Sequence, residues 1–470
     1  MNQRTRPFWL AQALARETAA SARPLEAPIR AELAIVGAGY TGLWTAILAK
    51  QARPELDIVI LEADIAGGGA SGRNGGCVLS WSTKLPSLLR LYGEAEGVRL
   101  ARASEQAILD IDAFVRAHAI DCDWRLHGTL YTATSHAQIG ASDAVMAALE
   151  RRGLSQWTRL PSEEVRRRAG SRAALEGWYS PVAATVQPAQ LVRGLRRIAL
   201  AMGIRLYEGT PLCNLTPGQP VVLHTPRGQV TADRAVIAVN AWMGTLFPAF
   251  RRTIAIVSSD MIVTEPNPAA IERSGLDRGL AVLDSRTFVH YYRSTSDGRL
   301  MLGKGGNTFA YGGQLRAVFD APSPYAASLT NTLRHFIPDL SHTPIAASWN
   351  GASDRSVTGL PFFGALPGHR NLWYGFGYSG NGVGPSRMGG EILASLALGL
   401  DNEWTRSGLV AGPLGRFPPE PVRFLGSLLV RNAIRRQERA QDRDQPVRPW
   451  DQWLAGFAAS AGKADKAAAH

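Results

Sequence analysis

The sequence predicts a mixed fold, part α/β and part α+β, in which a Rossmann-like domain is interleaved with a second domain built on a mostly antiparallel sheet. Three observations predict it. Residues 31–63 read strand, glycine turn, helix, strand, which is one βαβ unit. Similar α/β stretches return near the middle and near the end of the chain, with strand-rich blocks between them. No repeat and no single linker divides the chain, so the two domains must share alternating pieces of it. The expected division is an N-terminal arm over 1–30, a Rossmann-like domain over 31–90, 155–250 and 350–400, a second domain over 91–154 and 251–349, and a basic helical tail over 401–470.

The elements follow in order. In the arm, FWLAQALARE (8–17) has a short helical pattern and RPLEAPIR is a proline-broken linker. Residues 32–37 are an apolar run ending in glycine and read as a buried strand; 40–51 is helical, and DIVILEA (57–63) is a second buried strand. Amphipathic helices are expected over 98–118 and 138–152, with WRLHGTLYTAT between them as strand. A helix over 188–202 is closed by Gly203 and leads into short strands up to RAVIAVNAW. IAIVSSDMIVTEP, FVHYYRS and GRLMLGK are the strand candidates of the second domain. NLWYGFG is another buried strand, and GPSRMGGEILASLALG another helix.

Composition excludes several classes. Hydrophobic content of 45% and charged content of 19% in 470 residues are those of an ordinary globular protein. No apolar run reaches the ~18 residues of a membrane span, and no apolar stretch follows the first arginines as a secretory signal requires. Three cysteines, Cys77, Cys122 and Cys213, without short spacing argue against a disulfide scaffold or a metal cluster and suit a cytoplasmic location. The net charge of +12 comes from arginines scattered along the chain, with a denser group in the tail, and no nucleic-acid motif accompanies it.

Gly37, Gly39 and Gly42 form GxGxxG between the first strand and the first helix of the βαβ unit. The first glycine permits the turn, the second lets a pyrophosphate approach the backbone, and the third lets helix and sheet pack closely. Ala38, Tyr40 and Thr41 supply the N–H groups at the helix start. Glu62, with Ala63 beside it, lies twenty positions past Gly42 at the end of the second strand, where a carboxylate accepts ribose hydroxyls. A carboxylate there disfavours a 2′-phosphate, leaving NAD or FAD.

A second glycine cluster, GGGASGRNGG (67–76), begins five residues after Glu62. With it the sequence resembles the FAD-dependent oxidoreductases of the D-amino-acid oxidase, glycine oxidase and sarcosine oxidase superfamily, and most the γ-glutamylputrescine oxidase-like branch, where GYTGLWTA and GASGRNGG follow one another in this way. Two further segments carry the likeness: WNGASDRSVTGLPFFG (349–364) and GYSGNGV (377–383), the latter with Asn381 where histidine is usual. The likeness runs over roughly 8–400. It implies that FAD is the cofactor and that Ser71, Arg73, Asn74 and Gly75 contact its pyrophosphate or ring. It also implies cofactor contacts at Asp354 and at Gly380, Asn381, Gly382 and Val383, near Leu212, and at the AVNAWMGTL turn through Asn240 and Trp242.

The implied reaction is oxidative deamination of a primary or N-alkylated amine: hydride transfer to flavin N5, then imine hydrolysis to an aldehyde or oxo acid, with molecular oxygen or another acceptor taking the electrons. Such a step does not demand a protein base, and no catalytic residue is singled out. Relatives that link the flavin covalently use a cysteine in the segment matching 349–364; there is none here, so non-covalent FAD is expected. The oxygen-activating lysine of sarcosine oxidases matches Met301, with Lys304 three residues on. The place matching the arginine that clamps an α-carboxylate in amino-acid-specific members lies near Ser353, with Asp354 and Arg355 following. Arg286, Tyr292 and Lys304 are the expected substrate contacts, holding an anionic group, where the amine carries one, distal to the reacting carbon; His290, Tyr291 and Arg293 are neighbouring polar positions. Tyr291 and Tyr292 point to opposite faces of one strand, so at most one lines a pocket. Two alternatives stay open: a 2-hydroxy-acid or amino-acid dehydrogenase on the same fold, and a non-catalytic flavoprotein subunit.

Overall fold

Alternating runs of apolar β-branched residues and long amphipathic stretches sort into two large sheets with helices packed on them, and Cys77–Val78 pairs with Ala184–Thr185 as a small third sheet. The computed structural model describes residues 6–18, 22–154, 156–458 and 464–465. The first sheet runs Phe362–Ala365, Leu372–Phe376, Gln229–Ile237, Ile29–Val36, Ile58–Leu61, Arg205–Tyr207, with Val221–His224 and Asn214–Thr216 joined antiparallel beside Gln229–Ile237. Along this six-strand path four pairings are parallel, and the edge pair Phe362–Ala365 with Leu372–Phe376 is antiparallel. From the central strand the chain passes to Ile58–Leu61 on one side, and Gln229–Ile237 lies on the other. A crevice opens at such a switch point, outside the carboxyl ends of the strands.

The second sheet has eight strands in the order Ile345–Ser356, Ile254–Thr264, Leu300–Phe309, His290–Ser294, Ala281–Asp284, Thr129–Ala133, Glu176–Ser180, Thr158–Leu160. Every pairing is antiparallel except Ala281–Asp284 with Thr129–Ala133. The mixed architecture expected from the sequence is the one found. Its apportioning differs at two places. Thr158–Leu160 and Glu176–Ser180 were grouped with the Rossmann-like domain, but they pair in the second sheet. Ile345–Ser356 also belongs to that sheet, so the change-over falls after residue 356 rather than at 350.

The helices Tyr40–Ala52 and Pro385–Leu398 pack on each other, Gly390 being so close to Trp44 that a Cβ would meet its side chain at 2.4 Å. The helix expected over 98–118 is the second part of Leu85–Ala117, which kinks at Gly93 (φ 80°). The arm is no loose appendage: in Phe8–Arg16, Trp9 and Leu10 are fully buried, and Trp9 meets Trp349 edge-on at 5.5 Å. The tail helix Val422–Gln441 docks on the second sheet through Arg435, which donates to Asn307 Oδ1 (2.9 Å), and Glu438, which pairs with Lys304 (3.3 Å). Among the described residues no helix is long and apolar enough to cross a membrane.

Candidate active site

The carboxyl ends of the parallel strands and one face of the second sheet enclose a cavity of about 440 Å³. That volume is in the usual range for a ligand site. On the Rossmann side it is lined by Gly37, Gly39, Tyr40 and Thr41 from the first turn, Glu62 and Ala63 from the second strand, Ser71, Arg73, Asn74 and Gly75 from the second glycine cluster, and Leu212, Asn240 and Trp242.

Local geometry follows from residue type. Gly37 holds φ +104°, and a Cβ on it would lie 2.5 Å from the Ala238 carbonyl oxygen. A Cβ on Gly42 would lie 2.0 Å from the Gly37 carbonyl oxygen, so helix and turn meet backbone to backbone. Ser71 Oγ accepts from Tyr40 N (2.9 Å) at the start of Tyr40–Ala52, which ties the second glycine cluster to the first. The Glu62 carboxylate accepts Ala38 N on one oxygen (2.8 Å) and Asp64 N on the other (2.9 Å). Burial, with the nearby carboxylates of Asp64 and Glu208, pushes Glu62 up to about 7 in spite of those two bonds.

On the other side the register of the second sheet decides what faces the cavity. Ser259 lies opposite both Gly305 and Gly351, Val257 opposite Ser353, and Tyr291 opposite Gly303. Side chains of directly opposed residues share a face, so Ser259, Met261, Tyr291, Gly305, Gly351, Ser353 and Arg355 form one surface, and all of them line the cavity. The Tyr291 ring fills the space that side chains on Gly75 and Gly303 would take, and its hydroxyl bonds Ser259 Oγ at 2.7 Å. Asp354 points the opposite way from Arg355. Its carboxylate accepts from Gly377 N and faces the Asn240 amide, so it joins the strand to the 377–383 turn; burial pushes it up to about 7. Asn240 holds the left-handed φ of 48° that this approach requires.

Two independent glycine turns, a carboxylate at the end of the second strand and a cavity that continues onto a second sheet agree with one family. The family model described as FAD dependent oxidoreductase matches residues 32–396. The chain belongs to this family. Similar proteins include a probable oxidoreductase OrdL of Rhizobium meliloti (strain 1021), 31% identical over 80% of this chain and 84% of that one. Another is the gamma-glutamylputrescine oxidoreductase of Escherichia coli (strain K12), 29% identical over 80% of this chain and 85% of that one. Among solved structures, glycine oxidase from Geobacillus kaustophilus superposes with a TM-score of 0.66 at 22% identity, covering 79% of this chain and 96% of that one, a likeness of fold.

The residues present fit the FAD of the family. Each Glu62 oxygen spends one acceptor site on a backbone N–H and keeps another, enough for two ribose hydroxyls. The helix start at Tyr40 offers N–H groups to a diphosphate. Gly305 and Gly351, both opposite Ser259, line the cavity on the second-sheet side.

The expected site residues divide. Besides those on the Rossmann side, Asp354, Gly380, Gly382 and Val383 line the cavity. Ala38, Gly42 and Asn381 do not. The first supplies its N–H to Glu62, the second is the close-packing position, and Asn381 Nδ2 donates to Ser80 O (3.2 Å). Arg73 lines the cavity, but its guanidinium donates to Gly68 O (2.8 Å), Phe319 O (3.0 Å) and Asp320 (2.8 Å), holding the glycine cluster against the second sheet.

None of the three expected substrate contacts, Arg286, Tyr292 and Lys304, lines the cavity. Tyr292 and Lys304 sit on the face of the sheet away from the cavity: the Tyr292 hydroxyl donates to Ala169 O (2.7 Å), and Lys304 donates to Phe288 O (2.9 Å). Arg286 is buried between Asp284 (2.9 Å) and Asp442 (2.6 Å). Tyr291 is the cavity member of the tyrosine pair, and Ser259, Ser353 and Arg355 stand where the basic residues were expected. Strand alternation puts 351, 353 and 355 on one face, which was the available signal for Arg355.

Proposed function

We propose that the chain oxidises a primary or N-alkylated amine to an imine that water converts to an aldehyde or oxo acid, with molecular oxygen as acceptor. Bound FAD supplies the hydride acceptor. The observation that carries the reading is the continuation of the cavity beyond Glu62 and the glycine turns onto the Ser259–Tyr291–Ser353–Arg355 surface, where a small substrate can lie. The names of the similar proteins, with amines and amino acids as donors, support it.

The chain's part is to position and to select. Tyr291, fixed by Ser259 and by the two glycines beneath and above it, forms a rigid wall that excludes water from the reacting carbon. Asp354 holds the 377–383 turn in place, and the start of Pro385–Leu398 follows that turn, where N–H groups favour negative charge. We read the cofactor as non-covalent and the protein as cytoplasmic; none of its three cysteines is in a disulfide.

The test is flavin bleaching without air, and peroxide release with air, on glycine, sarcosine, D-alanine, γ-glutamylputrescine, 2-aminoethylphosphonate and a set of 2-hydroxy acids. An amine as the best donor by kcat/KM supports the reading. A hydroxy acid as the best donor, or no bleaching by any compound, overturns it.

A further inference from the structure

The helices near the end of the chain carry an uncovered aromatic surface. Trp450, Trp453 and Phe457 are 64%, 56% and 67% exposed, and steps of three and four residues put them on one face of the helix Pro449–Gly456 and its C-cap. Their rings lie in a row, Trp450 to Trp453 and Trp453 to Phe457 each at 5.0 Å. The opposite face packs on the protein: Asp451 and Leu454 are buried, and Asp451 pairs with Arg436 of Val422–Gln441 at 2.6 Å. On that longer helix Val422, Leu425 and Leu429 repeat the same spacing and are more than half exposed. Large apolar side chains gathered on the surface of two adjoining helices mark an interaction site, whereas single exposed ones do not.

The charge around these side chains selects the partner. Every acid of the two helices and the turn between them is engaged: Glu438 with Lys304, Asp442 with Arg286, Asp444 with His136 and Asp451 with Arg436. Arg439, Arg443 and Arg448 are exposed and make no ion pair among the described residues. Arg436 and Arg439 extend the exposed line of Val422, Leu425 and Leu429 along the helix, and Arg443 and Arg448 flank the turn into the aromatic one.

We propose that Val422–Gln441 and Pro449–Gly456 dock the protein on an anionic lipid membrane, the aromatic row entering the headgroup region and the arginines meeting lipid phosphates. Tryptophan and phenylalanine beside arginine are the composition of helices that lie in a membrane interface, and each arginine adds attraction to anionic lipid. A second copy of the chain fits less well, because a twofold contact through this face would bring one arginine patch against the other. A nucleic acid would use the arginines and stack on the rings, but it has no use for Val422, Leu425 and Leu429. Glu438 seats the longer helix on the side of the second sheet away from the cavity, so the docking surface is separate from the ligand site. Both helices also lie beyond residues 32–396, which the family model matches.

The experiment sediments the FAD-loaded full chain with phosphatidylcholine vesicles, with and without phosphatidylglycerol, at about 0.1 M and about 0.5 M salt. Expected is binding to the vesicles that hold phosphatidylglycerol, weakened by the higher salt and near background on phosphatidylcholine alone. Trp450→Ser combined with Trp453→Ser should weaken that binding about tenfold or more. Arg439→Gln combined with Arg443→Gln should weaken it about twentyfold, at about fivefold per arginine. All four side chains are exposed, so FAD content and thermal midpoint should stay at the parent's values; should one pair of changes lower either, the other pair decides. Failure of the parent to sediment with anionic vesicles, or affinities within about twofold of the parent's in both variants, overturns the proposal. A dimer that the tryptophan changes dissociate, or retention on single-stranded DNA that the arginine changes abolish, in either case without vesicle binding, overturns it in favour of that other occupant.

Discussion

Glu62 predicts an unusual pH dependence for cofactor binding. Without FAD, burial raises this carboxyl from the ordinary range to about 7. Its contribution to the stability of the FAD-free protein is therefore full below about pH 4.5 and lost as pH rises through about 7. Binding of the ribose has the opposite sign. The hydroxyls donate to the carboxylate and favour its ionised form, so FAD uptake expels a proton below pH 7 and affinity rises with pH until about 7. At about pH 5 the carboxyl must first be ionised against two pH units, which costs roughly 2–3 kcal/mol and weakens FAD binding up to about a hundredfold. The assay is titration of FAD-free protein with FAD between about pH 5 and 8.5, read by quenching of flavin fluorescence. Glu62→Gln should bind about tenfold or more weakly at the alkaline end, as expected for a lost charged hydrogen bond of ~1.5–3 kcal/mol, and lose most of the slope. Asp354, also raised to about 7, is the competing source of a slope, so Asp354→Asn serves as the control and should keep it. A Glu62→Gln curve parallel to the parent would refute the ribose role.

Acid precipitation should leave the flavin in solution, whereas colour in the pellet would show a covalent link, with Cys77 on the cavity wall the first residue to examine. Gly42→Ala should lower FAD occupancy and cost about 1–3 kcal/mol, because its Cβ would lie 2.0 Å from a backbone oxygen that a rotamer change cannot move; unchanged occupancy and thermal midpoint would contradict the close packing. Trp9→Ala should lower the thermal midpoint by several degrees, since a fully buried ring with Trp349 at its edge and the Arg293 guanidinium 4.9 Å away is lost at about 3–5 kcal/mol; a midpoint equal to the parent's would show that the arm is not part of the core.

What was legible in the sequence, and what was not, follows from the range over which each signal acts. GxGxxG, Glu62 and the helices around them are local patterns, and Tyr40–Ala52 and Pro188–Ala201 lie where periodicity and caps put them. Which sheet a short strand joins is a long-range matter. Glu176–Ser180 pairs with Thr129–Ala133, more than forty residues earlier, and nothing within its five residues records that choice. The arm shows the same limit, because a helix with two aromatic residues reads alike whether it is docked or free. Trp9 becomes core only because Trp349 and Arg293 arrive beside it from the second sheet.

That Arg286, Tyr292 and Lys304 lie off the cavity has a more instructive reason. A strand alternates, so the sequence shows that Tyr291 and Tyr292 cannot share a face, but not which face meets the cofactor. That depends on what covers the other side. Here Val422–Gln441 brings Glu438 to Lys304, and the helix Ala326–Phe336 brings Phe336 to within 5.5 Å of the His290 ring, so the whole face carrying His290, Tyr292 and Lys304 is occupied. The opposite face is left for the ligand, and it is the face that carries glycines at 303, 305 and 351. Two of these glycines admit neighbouring side chains, the Tyr291 ring against Gly303 and the Arg73 side chain against Gly351, so the glycine face is where the two sheets' side chains meet around the cavity. Cations on a strand are therefore poor guides to a pocket until what covers each face of the sheet is known.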